Sequence, residues 1–132
     1  MLQLEIVTPD RNFFSGEVER VIARGIEGDL AILSNRSPIT TPLNIGKVKI
    51  LKDGKERVAS ISNGYMSVLD NVVTIVTHSA EWPDEIDVER AEKALKRAED
   101  RLANKPDGLD VVRAKLALKR AMNRLDLKNM KR

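Results

Sequence analysis

The 132-residue sequence predicts an all-β sandwich or barrel of eight to ten strands over residues 1–84, followed by an antiparallel α-helical hairpin over residues 85–132. Three observations predict it. Val, Ile and Thr number 23 among the first 84 residues and 4 among the last 48, and these side chains favour the pleated surface of a sheet. Turn signals recur every 7–12 residues in the first part, the rhythm of short antiparallel strands. After Pro83 the apolar spacing lengthens from two residues to the three and four of an α-helix.

The elements follow in order. Leu2–Thr8 alternates apolar and polar residues, and Pro9-Asp10 turns the chain. Glu17–Arg24 carries Val18 and Ile22 among charges, with Val21 breaking the alternation. Gly25 and Gly28-Asp29 punctuate before the apolar run Leu30–Leu33. Ser34–Pro42 contains two prolines, so it is a loop or a sheet edge. Lys47–Leu51 alternates basic and apolar residues. Asp53-Gly54 then marks a hairpin, because glycine tolerates the positive φ of a type I′ turn. Arg57–Ser62 and Tyr65–Leu69 are split by Asn63-Gly64. Asp70-Asn71 turns into Val72–Thr77, the run richest in β-branched residues.

Beyond Pro83, Asp84 or Asp87 can cap a helix by accepting a backbone N–H bond. Ala91, Leu95, Ala98 and Leu102 make one stripe, and Asn104-Lys105-Pro106-Asp107-Gly108 ends it. Asp107 or Asp110 can cap a second helix. Its stripe is Ala114, Ala117/Leu118, Ala121 and Leu125, with Leu109, Val112 and Leu116 alongside. A connection this short sets the two helices antiparallel. Alanine-rich seams bury little apolar area, so the hairpin needs a third surface or tolerates several arrangements. It is a candidate moving part.

Composition excludes several kinds of chemistry. The chain is 42% hydrophobic and 33% charged, with no cysteine and one histidine. Disulfides, thiolate metal sites and cysteine nucleophiles are therefore out, and a histidine-clustered metal site is out with them. His78 reads as a structural or exposed side chain, and Ser34, Ser37 and Ser62 have no base near them in sequence. Gly25 and Gly28 are turn residues, not a dinucleotide fingerprint. No apolar run reaches the roughly 20 residues of a membrane span, and the N-terminus lacks the basic start and apolar core of a signal peptide. The expected location is cytoplasmic, or peripheral to a larger body. The net charge of +3 hides an asymmetry: residues 1–84 carry −2 and residues 85–132 carry +5.

The arginines of the hairpin are spaced to share faces. Arg90 and Arg97 are seven apart on the first helix, and Arg120 and Arg124 are four apart on the second. Asp87 lies three before Arg90 and can orient it. If the faces converge, four guanidiniums line one pocket, and such a pocket fits a polyanion. The plainer alternative is a solvated basic face. Nucleic-acid binding is a weaker rival, because acids interrupt the basic run and no aromatic residue is available there to stack a base.

These residues resemble a known family. Val7-Thr8-Pro9, Phe13-Phe14-Ser15-Gly16-Glu17-Val18 and Gly28-Asp29-Leu30-Ala31-Ile32-Leu33 match, in order and spacing, the N-terminal pattern of the epsilon subunits of bacterial F-type ATP synthases. Ser62-Asn63-Gly64-Tyr65-Met66, Val72-Val73-Thr74-Ile75 and Leu116–Leu125 match later parts, so the resemblance spans essentially the whole chain and is nearest to the Bacillus-type forms. Ile86-Asp87-Val88-Glu89-Arg90-Ala91 fits the motif Ile/Leu-Asp-x-x-Arg-Ala by which some members bind ATP. The chain departs from the pattern at Ser34-Asn35-Arg36-Ser37-Pro38, where Pro-Gly-His is common before the loop proline. It departs again at Asn63 and Ser67, which replace Gly and Glu, and at the bulky Trp82-Pro83.

The resemblance implies a non-catalytic rotor subunit, peripheral on the cytoplasmic side of the cell membrane. The β module would dock on the gamma subunit and on the c-ring, with Glu27 and Asp29 matching acidic positions near the ring. It would help couple ion flow to rotation. The hairpin would inhibit ATP hydrolysis when extended towards the alpha and beta subunits and permit it when folded down. ATP would favour the folded-down form as a regulatory ligand, and the resemblance leaves Mg²⁺ open. Glu81, Ile86, Asp87, Arg90 and Ala91, with Arg97, Arg120 and Arg124 towards the phosphates, are the residues it implies for ATP. No catalytic residue, catalytic cofactor, metal or nucleic-acid partner is implied. An unpaired helical stripe also allows a dimer of the isolated chain. The alternatives are a small nucleotide-binding enzyme, which lacks a general base beyond Asp87 or Glu81, and a basic nucleic-acid-binding β domain.

Overall fold

A computed structural model describes residues 1–105 and 108–130. It divides into two compact units, Met1–Trp82 and Pro83–Arg132. The first holds ten strands: β1 (Leu2–Val7), β2 (Asn12–Val18), β3 (Arg20–Gly25), β4 (Gly28–Ile32), β5 (Ile39–Leu43), β6 (Gly46–Lys52), β7 (Lys55–Ile61), β8 (Gly64–Leu69), β9 (Val72–Thr77) and β10 (Ala80–Glu81). Their order is β10-β7-β6-β3-β5-β8-β9-β1-β2, with β4 also on β3. All pairs are antiparallel except β1 with β9. The sequence expectation of eight to ten strands in a sandwich or barrel holds.

The core is what strict alternation delivers. Leu2, Leu4 and Ile6 of β1 point inward with Val73 and Ile75 of β9, Met66 and Val68 of β8, and Val48 and Ile50 of β6. Two irregularities explain where the alternation breaks. A bulge between Ile6 and Val7 lets both Phe13 and Phe14 face the core side: Phe14 pairs with Ile6, and Phe13 is the extra residue. At Glu19 the chain leaves β1 and joins β6, with its N–H donating to the Leu51 carbonyl at 2.8 Å. That corner resets the parity, so Val18 and Val21 are both fully buried.

The turns use the expected chemistry. Asp53 and Gly54 have φ of 52° and 74°, and Asp70 and Asn71 have φ of 49° and 63°, the paired positive values of a type I′ hairpin. Pro42 sits inside β5, opposite Tyr65. It is tolerated because β5 meets β3 only at the pair Gly25 and Leu43, so its other side is nearly an edge. Gly64 is required by close approach, since a Cβ there would land on the Val76 carbonyl oxygen. Ser62 and Thr77 are buried and bonded to each other and to surrounding backbone, which commits Ser62 to structure. His78 is exposed. The two-residue strand β10 is too short for its pattern to show in sequence.

The second unit begins with a 3₁₀ turn, Pro83–Glu85, followed by α1 (Val88–Asn104) and α2 (Val111–Met130). Asp87 caps α1, its carboxylate accepting from the Arg90 backbone N–H at 3.0 Å. Asp110 caps α2 in the same way through Arg113; the other candidate, Asp107, lies outside the described residues. Lys105 ends α1 in the left-handed conformation at φ 43°. The helices pack together as a hairpin. Ala91 and Ala98 on α1 and Ala114 and Ala121 on α2 are buried, each pair seven apart, as the stripes require. Val112 and Leu116, expected beside the stripe, are exposed. Asn123 and Leu127, outside it, are buried.

Candidate functional site

Small side chains in the seam let two helices approach and leave long side chains at the rim. Between α1 and α2 lies a groove of about 570 Å³. Its floor is Ala94, Ala98, Ala114 and Ala117, and Arg97, Arg101, Arg113 and Arg120 border it. Two of the four arginines expected to converge, Arg97 and Arg120, are therefore brought together. Arg90 and Arg124 do not line this groove. Arg90 is exposed in the first turn of α1, and Arg124 is half-buried on α2. Arg101 and Arg113 take part instead, and spacing signalled them: Arg101 is four beyond Arg97, and Arg113 seven before Arg120. Asp110 is the carboxylate in the lining, and its cap bond to Arg113 N–H turns it towards the helix end. Guanidiniums at this density fit a phosphate-bearing ligand, because each can meet oxygens through two donors.

The remaining motif residues have structural duties. Ile86 and Ala91 are buried. Asp87 binds the backbone of Arg90 rather than its guanidinium, so it orients the helix start and not the charged head. Glu81 is half-buried in β10 of the first unit, paired in register with Ser60. Among the described residues no group of three His, Cys, Asp or Glu side chains is placed to hold a metal ion.

The first unit offers two other features. The β3–β4 turn puts Ile26 and Glu27 at its tip, where Ile26 is 66% exposed. Asp29 is tied across the hairpin to Arg24 at 2.9 Å, so of the two acids singled out there, Glu27 is at the tip and Asp29 is paired. The outward face of β5-β8-β9-β1-β2 is the second feature. Register aligns Pro42, Tyr65, Val76 and Val7 in one row across four strands. The next row is Thr40, Ser67, Thr74, Glu5 and Ser15, and a third aligns Leu69, Val72, Gln3 and Glu17. Tyr65, Leu69, Val72 and Val7 all remain well exposed. These five strands contain no Lys or Arg, while β3, β6 and β7 carry seven. The asymmetry is readable in the sequence only once the strands are assigned to sheet halves.

Comparison with known proteins adds to this geometry. Residues 1–83 match the family described as "ATP synthase, Delta/Epsilon chain, beta-sandwich domain". Residues 84–129 match "ATP synthase, Delta/Epsilon chain, long alpha-helix domain". The ATP synthase epsilon chain of Alkaliphilus oremlandii is 54% identical over 101 residues, covering 76% of this chain and 75% of the relative. That of Brevibacillus brevis is 48% identical over 105 residues, covering 79% and 80%. Among solved structures, a chain of the Euglena gracilis mitochondrial ATP synthase (OSCP/F1/c-ring, rotational state 1) superposes with a TM-score of 0.82 at 27% identity, covering 95% of this chain and 79% of that one. A chain of the Tetrahymena thermophila mitochondrial ATP synthase central stalk and c-ring superposes at 0.59 and 18% identity, a likeness of fold.

Proposed function

Because this chain belongs to the bacterial epsilon-chain family of ATP synthase, we propose that it is a non-catalytic rotor part whose first unit docks and whose hairpin regulates. It is a central-stalk subunit of the F-type complex. The finer reading has three parts. The outward face of β5-β8-β9-β1-β2 is the docking surface for the gamma subunit. An exposed apolar row beside a hydroxyl row, with only Glu5 and Glu17 as charges, suits a protein partner that is apolar and carries compensating cations. The Ile26-Glu27 tip reaches for the c-ring, which makes the chain peripheral to the membrane. No helix among the described residues is long and apolar enough to cross one. The basic hairpin is a movable arm that inhibits ATP hydrolysis when it extends towards the alpha and beta subunits.

The observation that carries the regulatory part is the arginine-rimmed groove between two thinly packed helices. A nucleotide held by Arg97 and Arg120, with Arg90 and Arg124 on the same two helices, binds only while the helices stay paired. Such a ligand stabilises the paired form by RT ln(1 + [L]/Kd), about 2.7 kcal/mol at a hundredfold excess over Kd. Isothermal titration of ATP into the chain tests it. Heat is expected for the parent and a loss of about tenfold or more in affinity for Arg97→Ala and Arg120→Ala. No heat, or equal heats for all three, rejects the nucleotide site. Turnover of ATP during the titration would favour an enzyme instead.

A further inference from the structure

The open end of the hairpin is closed by one side chain. Lys128, in the last turns of α2, donates from Nζ to the Pro83 carbonyl oxygen at 2.9 Å. The same oxygen accepts from the Ile86 N–H at 3.3 Å, closing the 3₁₀ turn. One acceptor thus joins the root of α1 to the end of α2. Ile86 is 5% exposed and Leu127, beside Lys128 in the chain, is 1% exposed. The bond is half-buried, and an ammonium-to-carbonyl bond there is less screened than one on open surface.

The acceptor has a rigid mount. Pro83 has a fixed φ, and the residue before it is packed between side chains of the first unit. The Trp82 ring stacks on Phe13 with centroids 4.5 Å apart and an interplanar angle of 22°. The Arg57 guanidinium lies 3.8 Å from the Trp82 centroid, and Arg11 lies 4.9 Å from that of Phe13. Four groups are thereby layered: Arg57, Trp82, Phe13, Arg11. These contacts hold Trp82 in the first unit, and the second unit starts at Pro83.

We propose that Lys128 is the latch of the arm: its bond to Pro83 holds the end of α2 at the root of α1, and any extension of the hairpin must break it. The regulatory consequence of the latch rests on the movable-arm reading above, whereas the latch itself rests on this geometry alone. Releasing it lets α2 leave while the Asp87 and Asp110 caps keep both helices formed. Lys128 therefore sets the balance between paired and extended arms without touching the arginine-rimmed groove.

The chain has no cysteine, so two introduced thiols are its only labelling sites. With Asp84→Cys and Asn129→Cys spin-labelled, pulsed EPR reads the distance between the two ends of the hairpin. The parent gives one short distance. Lys128→Met keeps the stem and loses the donor, and it is expected to raise the long-distance population about tenfold. Lys128→Arg keeps a donor and should behave as the parent. An unchanged distribution in Lys128→Met overturns the latch. So does equal opening in Lys128→Arg and Lys128→Met. The same variants in a reassembled catalytic head separate the two readings. Stronger inhibition of ATP hydrolysis by Lys128→Met supports both. Opening by EPR with unchanged hydrolysis keeps the latch and sinks the inhibitory arm.

Discussion

At the scale of single residues, Asp87 shows how a residue proposed for a ligand site also serves the fold. Its carboxylate accepts from the Arg90 N–H, so removing it exposes a helix N-terminus as well as altering any ligand site. Asp87→Ala is expected to cost about 1 kcal/mol of hairpin stability and some helicity by far-UV circular dichroism. Asp87→Asn keeps an accepting oxygen and should retain the helix. Any loss of ATP binding in Asp87→Asn then reports the ligand and not the cap. Glu5 makes a pH prediction. Its carboxylate accepts from Gln3 Nε2 at 2.9 Å and Ser15 Oγ at 2.8 Å. The Gln3 bond first, then the Ser15 bond, hold its pKa below the ordinary 4.5. A depressed carboxylate contributes stability in full above its unfolded value and loses it as pH falls through the folded one. The contribution therefore fades below about pH 4.5, the ordinary value. Glu5→Gln should flatten that part of the pH dependence of the denaturation midpoint and lower the neutral-pH midpoint only slightly, because solvent screens the half-buried site.

At the scale of elements, the strands were the more legible half. Alternation fixed which faces of β1 and β6 are buried, and Asp53-Gly54 and Asp70-Asn71 announced their turns; β9, nearly all β-branched, was legible as a strand but not in its facing, since Val72 is exposed and Thr77 buried. Sequence was silent on the Phe13 bulge and the Glu19 corner, because both depend on which partner a strand meets, a non-local fact. The helices were legible through their alanine stripes and caps, but the groove was only half legible. Spacing says which arginines share a face of one helix. It does not say where along the seam a groove opens: this one lies at the connection, beside Gly108, Leu109 and Asp110, so its rim takes Arg101 and Arg113, while Arg90 and Arg124 lie toward the open end of the hairpin. The stripe also missed Leu127 and Asn123, which are buried; α2 also meets the 3₁₀ turn Pro83–Glu85, a contact the helical repeat does not encode. Packing at the seam carries its own prediction. Ala98→Leu adds three heavy atoms where Ala98 is 3% exposed. It should cost about 1–3 kcal/mol through forced displacement of the helices, seen as a lower melting temperature of the hairpin's helical signal, and it should weaken ATP binding by widening the groove. An unchanged melting temperature would mean that the alanines do not set the helix spacing.

At the scale of the whole molecule, charge is distributed by element in a way the sum conceals. A net +3 over 132 residues looks bland. It resolves into a +5 segment that forms two helices and a −2 segment that forms the sheet unit, and the sheet unit is itself polarised. Strands β3, β6 and β7 hold seven Lys and Arg residues; β1, β2, β5, β8 and β9 hold none. A face with exposed Val7, Tyr65, Leu69 and Val72 and no lysine lacks the usual protection against association. A chain that keeps such a face gains from having it covered. Tyr65→Lys tests this at one position. Tyr65 is 48% exposed and points away from the core, so the unit should fold with a midpoint within about 0.5 kcal/mol of the parent. Binding to the isolated gamma subunit should weaken at least tenfold, because a desolvated charge is placed inside an apolar row. A lysine on the opposite half, as in Ala31→Lys on β4, should leave gamma binding intact. Equal affinities for Tyr65→Lys and the parent would move the docking surface elsewhere on the unit. Equal losses in both variants would show a general charge effect and no defined face.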